Sequence, residues 1–358
     1  MNRIKLLVAV LAICAQTSFA QNFNDKDIIF KSNDDSITYA GTLSVPKAAK
    51  KSPAVVIVSG TGRQDRDGLM SGHKIFKEIG DSLASHGYIV LRMDDRQTGK
   101  TTGFYDKATT GDFANDALLA VNYLKTVPQV NARKIGLIGH SEGGAIISIA
   151  ASKSKDVRFL ISLSGLAMNG YDALISQNES MVNNSKLPDY DKARSNDINA
   201  RMFKTALKYA DSANMGAKLN ETYDAWKVKD DAYFKTLNIE FDHFRFPVYS
   251  YVNYAIGPWY RYFVKYDAAK TMAKIKVPVL AINGDKDNYV VPEANLQNWK
   301  TYIAAGGNKN VETYLLKNVN HLLLPCVTCE QAEIKDIKGG VAPEAFRIIL
   351  SWLNKTVK

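Results

Sequence analysis

The sequence predicts an α/β architecture, a mostly parallel eight-stranded sheet with helices on both faces and an inserted helical cap. Three observations carry this. Short apolar runs of strand length alternate with stretches of helical periodicity. One of those runs stops at a Gly-x-Ser-x-Gly turn, KIGLIGHSEGG (134–144), and a run rich in small residues, AIISIAAS, follows it. Between the apolar runs at 159–163 and 277–283 lies an excess of about a hundred residues, far more than a crossover helix requires. The 358 residues are long for one sheet domain but suit one with an insertion, and no Pro/Gly/Ser-rich linker or internal repeat divides them.

In chain order, residues 1–20 come first. Arg3 and Lys5 precede an apolar run from Leu6 to Ala15, and Ser18-Phe19-Ala20 stands before Gln21. This is the layout of a secretory signal peptide cut after Ala20, and its apolar core is too short to span a bilayer. A lipidated Cys14 is the rival reading, but Ile13 precedes it where a small residue is expected. The expected location is therefore secreted or periplasmic, with no stable membrane insertion. The net charge of +10 is carried by scattered basic residues. With no nucleic-acid motif, it suits solubility or an acidic envelope surface and implies no nucleic-acid partner.

Residues 27–32 and 37–45 alternate enough for an antiparallel pair at the sheet edge. The runs at 54–58, 88–93, 134–138, 159–163, 277–283 and 311–316 then read as buried strands. The stretch 112–125 places Ala114, Ala117, Leu118, Val121 and Leu124 at helical intervals, and Pro128 stops it. Residues 75–85 and 293–305 behave similarly. The last helix, 343–355, opens on a proline and buries Phe346, Ile349, Leu350 and Leu353. In the insertion, 178–185 and 192–209 look helical. The stretch 241–267 that follows is rich in Phe, Tyr and Trp, some serving a cap core and others, Trp259, Tyr260 and Phe263 among the candidates, lining an apolar acyl or aryl pocket.

The turn at Ser141 is a device for making a nucleophile. It forces strained backbone angles on the serine, and Gly139 and Gly143 are wanted because a Cβ there would strike the neighbouring strand or helix. Glu142 would offer its N–H to a developing oxyanion, while its carboxylate suits the positive end of the following helix. A serine needs a base, and the chain has five histidines. Chain order Ser, acid, His leaves His243, inside the insertion, and His321, just past the last strand in KNVNHLLLP, which is the expected base. The acid belongs to AINGDKDNYVVP, where Asp285 and Asp287 both qualify. A second oxyanion donor belongs to SGTGRQDRDG (59–68), at Thr61 or its neighbour.

These pieces resemble bacterial α/β-hydrolases of the secreted serine esterase type, related to dienelactone-hydrolase-like and prolyl-oligopeptidase-like proteins. The matching segments are SGTGRQDRDG, MDDRQTGKTTG, IGHSEGG, PWYRYFVKYD, NGDKDNYVVP and NVNHLLLP, spread over nearly all of the chain after residue 20. The resemblance implies an α/β-hydrolase fold, and an acid at the fourth place of Gly-x-x-Asp-x-x-Val, which falls on Asp287. Ser59 stands where many relatives carry His, and Gln97 where Gly is common. Asp65, Arg66, Asp67, Asp94, Asp95 and Arg96 are expected to form ion pairs that brace the loops.

The expected organisation is a core of residues 21–165 and 268–358 with a cap at 166–267. The expected chemistry is hydrolysis of a small-molecule ester through an acyl-enzyme, with no metal or cofactor. A peptidase, an amidase or a thioesterase would use the same residues, and a non-catalytic binding protein is the reading from another class. Cys326 and Cys329 lack the partners a zinc site needs and the helix context of a redox site, so a local disulfide is expected.

Overall fold

The computed structural model describes residues 22–357. The leader expected at residues 1–20, with Cys14, lies outside them. Eight strands form one sheet: β1 (Phe23–Lys31), β2 (Thr38–Pro46), β3 (Ser52–Val58), β4 (Ile89–Met93), β5 (Val130–His140), β6 (Leu160–Leu163), β7 (Val279–Gly284) and β8 (Val311–Leu316). Their spatial order is β1-β2-β4-β3-β5-β6-β7-β8. The β1 strand pairs antiparallel with β2, and β2 antiparallel with β4, whereas every pair from β4 to β8 is parallel. Chain connections leave β3 toward β4 on one side and continue from β4 to β5 on the other. The carboxyl ends of β3 and β5 therefore flank a switch point, the place where open α/β sheets bind ligands.

The inner parallel strands β3, β4, β6 and β7 are mostly buried on both faces, which is why they read as near-continuous apolar runs, whereas the edge strand β8 is partly exposed. Alternate side chains serve different cores. Val56 and Leu137 pack beneath α2 (Thr110–Thr126), α3 (Gly143–Lys153) and α10 (Pro292–Ala305), with Val121, Leu124, Ile147 and Trp299 from those helices. Val55, Ile57 and Ile138 pack on the other face with Leu83 of α1 (Ile75–Ser85) and Ile349 and Leu353 of α11 (Pro343–Thr356). The α2 helix starts on a capping box, in which Thr109 Oγ1 accepts from the Asp112 N–H and the Asp112 carboxylate accepts from the Thr109 N–H.

Five helices stand between β6 and β7 before the short α9 (Ala268–Met272): α4 (Gly170–Asn183), α5 (Asp189–Lys208), α6 (Met215–Thr236), α7 (Val248–Ala255) and α8 (Pro258–Phe263). They have their own core, built from Ile198, Met202, Leu219, Trp226, Val252 and Tyr260 among others. The α4 helix begins eight residues before the helix expected at 178. The α6 helix, 22 residues long, was not expected at all. No described helix is long and apolar enough to cross a membrane. Cys326 and Cys329 form the expected disulfide.

The brace of charged loop residues is partly as expected. Arg66 pairs with Asp94 at 2.6 Å and with Asp27, Arg92 pairs with Asp67, and Arg96 pairs with Asp116 at 2.7 Å. Asp65 and Asp95 are exceptions. Asp65 accepts from the N–H groups of Asp67 and Leu69 and so closes its own turn. Asp95 accepts from Ser59 Oγ at 2.6 Å and from the Gln64 N–H at 2.8 Å, holding the loop after β3 by hydrogen bonds instead of an ion pair. Gln97 has a φ of 62°, the left-handed conformation that glycine adopts freely, which accounts for the preference for Gly there.

Candidate active site

Strand β5 ends at His140, α3 begins at Gly143, and Ser141 occupies the corner with a φ of 58°. The flanking glycines are sterically required. A Cβ on Gly139 would lie 2.3 Å from the Gly143 carbonyl oxygen, and one on Gly143 would lie 2.8 Å from the carbonyls of Val58 and Ser59. The corner is pinned from outside: the Ser141 N–H donates to the Leu163 carbonyl, and the Ser141 carbonyl accepts from Gly144 and Leu166. Ser141 is half-buried.

The loops after β7 and β8 bring His321 and Asp287 into direct contact. His321 Nδ1 lies 2.8 Å from Asp287 Oδ2. Asp287 is 3% exposed, and its other oxygen accepts from the N–H groups of Tyr289 and Val290, each at 2.9 Å. Three hydrogen bonds thus fix one carboxylate, and a neutral imidazole that donates Nδ1–H to it presents its lone pair at Nε2. Asp285 faces elsewhere. It accepts from the Asn318 N–H at 2.7 Å and pairs with Lys317 at 3.5 Å, so it ties the two loops together without touching the imidazole.

His140, which chain order sets aside, belongs to this arrangement. Its Nε2–H donates to the His321 carbonyl at 3.0 Å, and the two rings lie 4.8 Å apart. Burial, with the neighbouring His321 adding to it, pushes the His140 pKa down to about 3, so the ring stays neutral. The Tyr289 ring also lies against His321, with centroids 5.0 Å apart. The signal for His140 was its place next to Ser141, which puts it at the end of the same strand. Ser141 Oγ itself makes no hydrogen bond to a protein group among the described residues.

The loop after β3 lies against the serine. A Cβ on Gly60 would come within 2.7 Å of Ser141 Cβ. The next N–H, of Thr61, and the N–H of Glu142 donate to no protein acceptor among the described residues. The Glu142 side chain departs from expectation. It makes no capping bond to α3 and is 3% exposed. Its carboxyl group instead accepts from Thr61 Oγ1, Thr110 Oγ1 and Trp259 Nε1, at 2.7, 2.7 and 2.8 Å. Burial raises its pKa above the ordinary range.

The three aromatic candidates separate. Trp259 is half-buried, stacks on Phe263 with centroids 4.8 Å apart, and turns its N–H to Glu142. Tyr260 is 2% exposed and hydrogen-bonds Tyr251 inside the cap core. Phe263 is 6% exposed and packs with the residues beneath the sheet's helices. Tyr260 and Phe263 are thus both engaged in packing, a distinction among the three aromatics that spacing along the chain does not encode.

A doubly wound sheet with a serine on a strand-to-helix corner and a His–Asp pair on the last two loops defines a class. The family model for the alpha/beta hydrolase fold matches residues 53–325, and the chain belongs to that family. Among its relatives is Esterase EstD of Thermotoga maritima, 25% identical over 338 residues that cover 94% of this chain and 68% of that protein. The solved Pyrococcus furiosus esterase Pf2001 is similar with a TM-score of 0.55 at 18% identity, covering 94% of this chain and 92% of that one. Est1E from Butyrivibrio proteoclasticus gives a TM-score of 0.52 at 17% identity, covering 92% and 98%. At those identities the two solved structures speak to the fold.

Proposed function

We propose that the protein is a serine hydrolase that cleaves carboxylic esters of short or medium acyl groups, or of aryl acids, through an acyl-enzyme on Ser141. The observation that carries this reading is the Asp287–His321 hydrogen bond beside the Ser141 corner. The esterase name of the Thermotoga maritima relative supports it. As a substrate carbonyl docks, His321 Nε2 takes the Ser141 proton and Oγ bonds to the acyl carbon. The Glu142 and Thr61 N–H groups hold the resulting oxyanion. His321 then gives its proton to the departing alcohol as the ester C–O bond breaks. A water molecule, deprotonated by the same nitrogen, attacks the acyl carbon; the acyl–Oγ bond then breaks, and Nε2 returns the proton to Oγ as the acid leaves.

The test is turnover of a p-nitrophenyl ester series, acetate to decanoate, by the wild type and three variants. Ser141→Ala should abolish turnover, and Asp287→Asn should lower kcat by roughly 10³- to 10⁴-fold. Asp285→Asn should keep kcat within about threefold, since its bonds are to a turn, and lose about 1 kcal/mol of stability. Turnover that persists in Ser141→Ala, or wild type that neither turns over nor takes a fluorophosphonate label at Ser141, would overturn the reading. Residues 1–20 are proposed as a cleaved leader that sends the protein out of the cytoplasm, in keeping with the disulfide. Amino-terminal sequencing of the exported protein should begin at Gln21.

A further inference from the structure

The loop that offers the second oxyanion donor has little backbone constraint of its own. Thr61 stands between Gly60 and Gly62, and Gly62 has a φ of 94°. The peptide plane that carries the Thr61 N–H is hinged on Gly60, whose ψ is little restricted, and the next plane is hinged on Gly62, so the direction of the Thr61 N–H must be set from outside. Ser59 and Gln64 are held by Asp95, and the Gly62 N–H donates to Tyr105 Oη at 2.8 Å. Thr61 is held through its side chain, by the bond from Oγ1 to Glu142 Oε2.

That same carboxyl group reaches two further elements. Glu142 Oε1 accepts from Thr110 Oγ1 at the first residue of α2 and from Trp259 Nε1 on cap helix α8. Both carboxyl oxygens are occupied. A buried carboxyl group that lost one of these donors would be left under-satisfied and would reorient or draw in water. Trp259 is the contact that belongs to the cap, and its ring is locked between Phe263 and Tyr254, with centroids at 4.8 and 5.6 Å. The orientation of α8 is thus transmitted to Thr61 through one side chain.

We propose that Glu142 is a positioning residue that couples the cap to the oxyanion hole: its buried carboxyl group bridges Trp259 of α8 and Thr61, so the Thr61 N–H is aimed at the reacting carbonyl only while α8 is seated. The proposal rests on the serine hydrolase reading for its catalytic consequence, but the coupling itself is a property of the folded chain. Glu142 serves twice, its N–H facing the oxyanion and its side chain orienting the partner donor. A misplacement of about 1 Å at such a donor is enough to cost up to ~100-fold in rate.

The experiment compares Trp259→Phe, which keeps a stacking ring and deletes the N–H, with Thr61→Val, Thr61→Ser and the Trp259→Phe/Thr61→Val double variant. Hydrogen exchange of the peptide covering residues 59–64 is followed alongside turnover of the best p-nitrophenyl ester, and thermal melting checks that each variant is folded. Trp259→Phe should speed exchange of that peptide by about threefold or more, although the substitution lies in another element. Thr61→Val should lower kcat about tenfold with KM within about twofold, Thr61→Ser should recover most of that loss, and the double variant should fall little below the single ones. Unchanged exchange at 59–64 in Trp259→Phe, or strictly additive losses in the double variant, would overturn the coupling. Wild type without esterase turnover would overturn the hydrolase reading alone, and the exchange result would still decide the coupling.

Discussion

Asp95 stands at the carboxyl end of β4 and holds the loop after β3 at Ser59 and Gln64. Burial pushes its pKa up to about 7, and the negative charges of Asp116 and Glu142 push the same way against the two hydrogen bonds. An unfolded carboxyl group titrates near about 3.9. The folded chain therefore binds the extra proton between those values, so the stability Asp95 contributes is full below about pH 4 and is lost as pH rises toward about 7. Asp95→Asn keeps a neutral side chain at all pH values. Its stability relative to wild type, followed by denaturant unfolding, should rise between pH 5 and pH 8, and a difference independent of pH would show that Asp95 is ionised throughout. The same chemistry explains which site residues could be read from the sequence. Ser141 and His321 follow from motif and chain order, because a corner and a last loop are positions. The roles of Asp95, His140 and the Glu142 carboxyl group depend on which loops meet in space, and spacing along the chain does not encode that.

The strand-to-helix corner is a contact between two backbones. Gly139 on β5 faces the Gly143 carbonyl of α3, so no side chain can yield to make room. Gly139→Ala should cost roughly 1–3 kcal/mol and displace the serine enough to lower kcat/KM by about 100-fold. Gly339→Ala, where a Cβ would meet nothing within 4 Å, should change stability by less than about 0.5 kcal/mol in the same unfolding assay. Equal effects from the two would remove the steric account of the corner. The inner strands could be read from the sequence because a strand buried on both faces leaves an apolar run with few alternatives, and the edge pair β1 and β2 because its residues alternate. The α6 helix could not. Its buried face consists of Met215, Leu219, Trp226 and Asp230, and a buried aspartate in that stripe breaks the apolar periodicity by which helices are recognised.

That aspartate belongs to the arrangement that closes the cap on itself. Arg194 on α5 is 4% exposed and bonds Asp191, Asp230 and Asp242, with five N···O distances between 2.7 and 2.9 Å. Its guanidinium also lies over the rings of Phe234 and Phe244, 5.2 and 4.6 Å from their centroids. One cation thus gathers α5, α6 and the segment before α7, and its own pKa is held well above the ordinary value by the carboxylates. Replacing it by methionine keeps the aliphatic stem and leaves the carboxylates facing one another without compensation, at a cost of roughly 3–5 kcal/mol. Because Arg194 and its partners lie with the cap core, which shares only Leu174 and Trp259 with a sheet core, that cost should fall on the cap first. Arg194→Met should therefore speed hydrogen exchange through α5 and α6 while β3, β5 and β7 stay protected, and its melting curve should gain an early phase. If the sheet lost protection together with the cap, the two would unfold as one cooperative unit. Independent loosening would instead make the cap a body whose seating can vary while the Asp287–His321 pair stays in place, the condition under which a bridge such as Glu142 acts as a coupling.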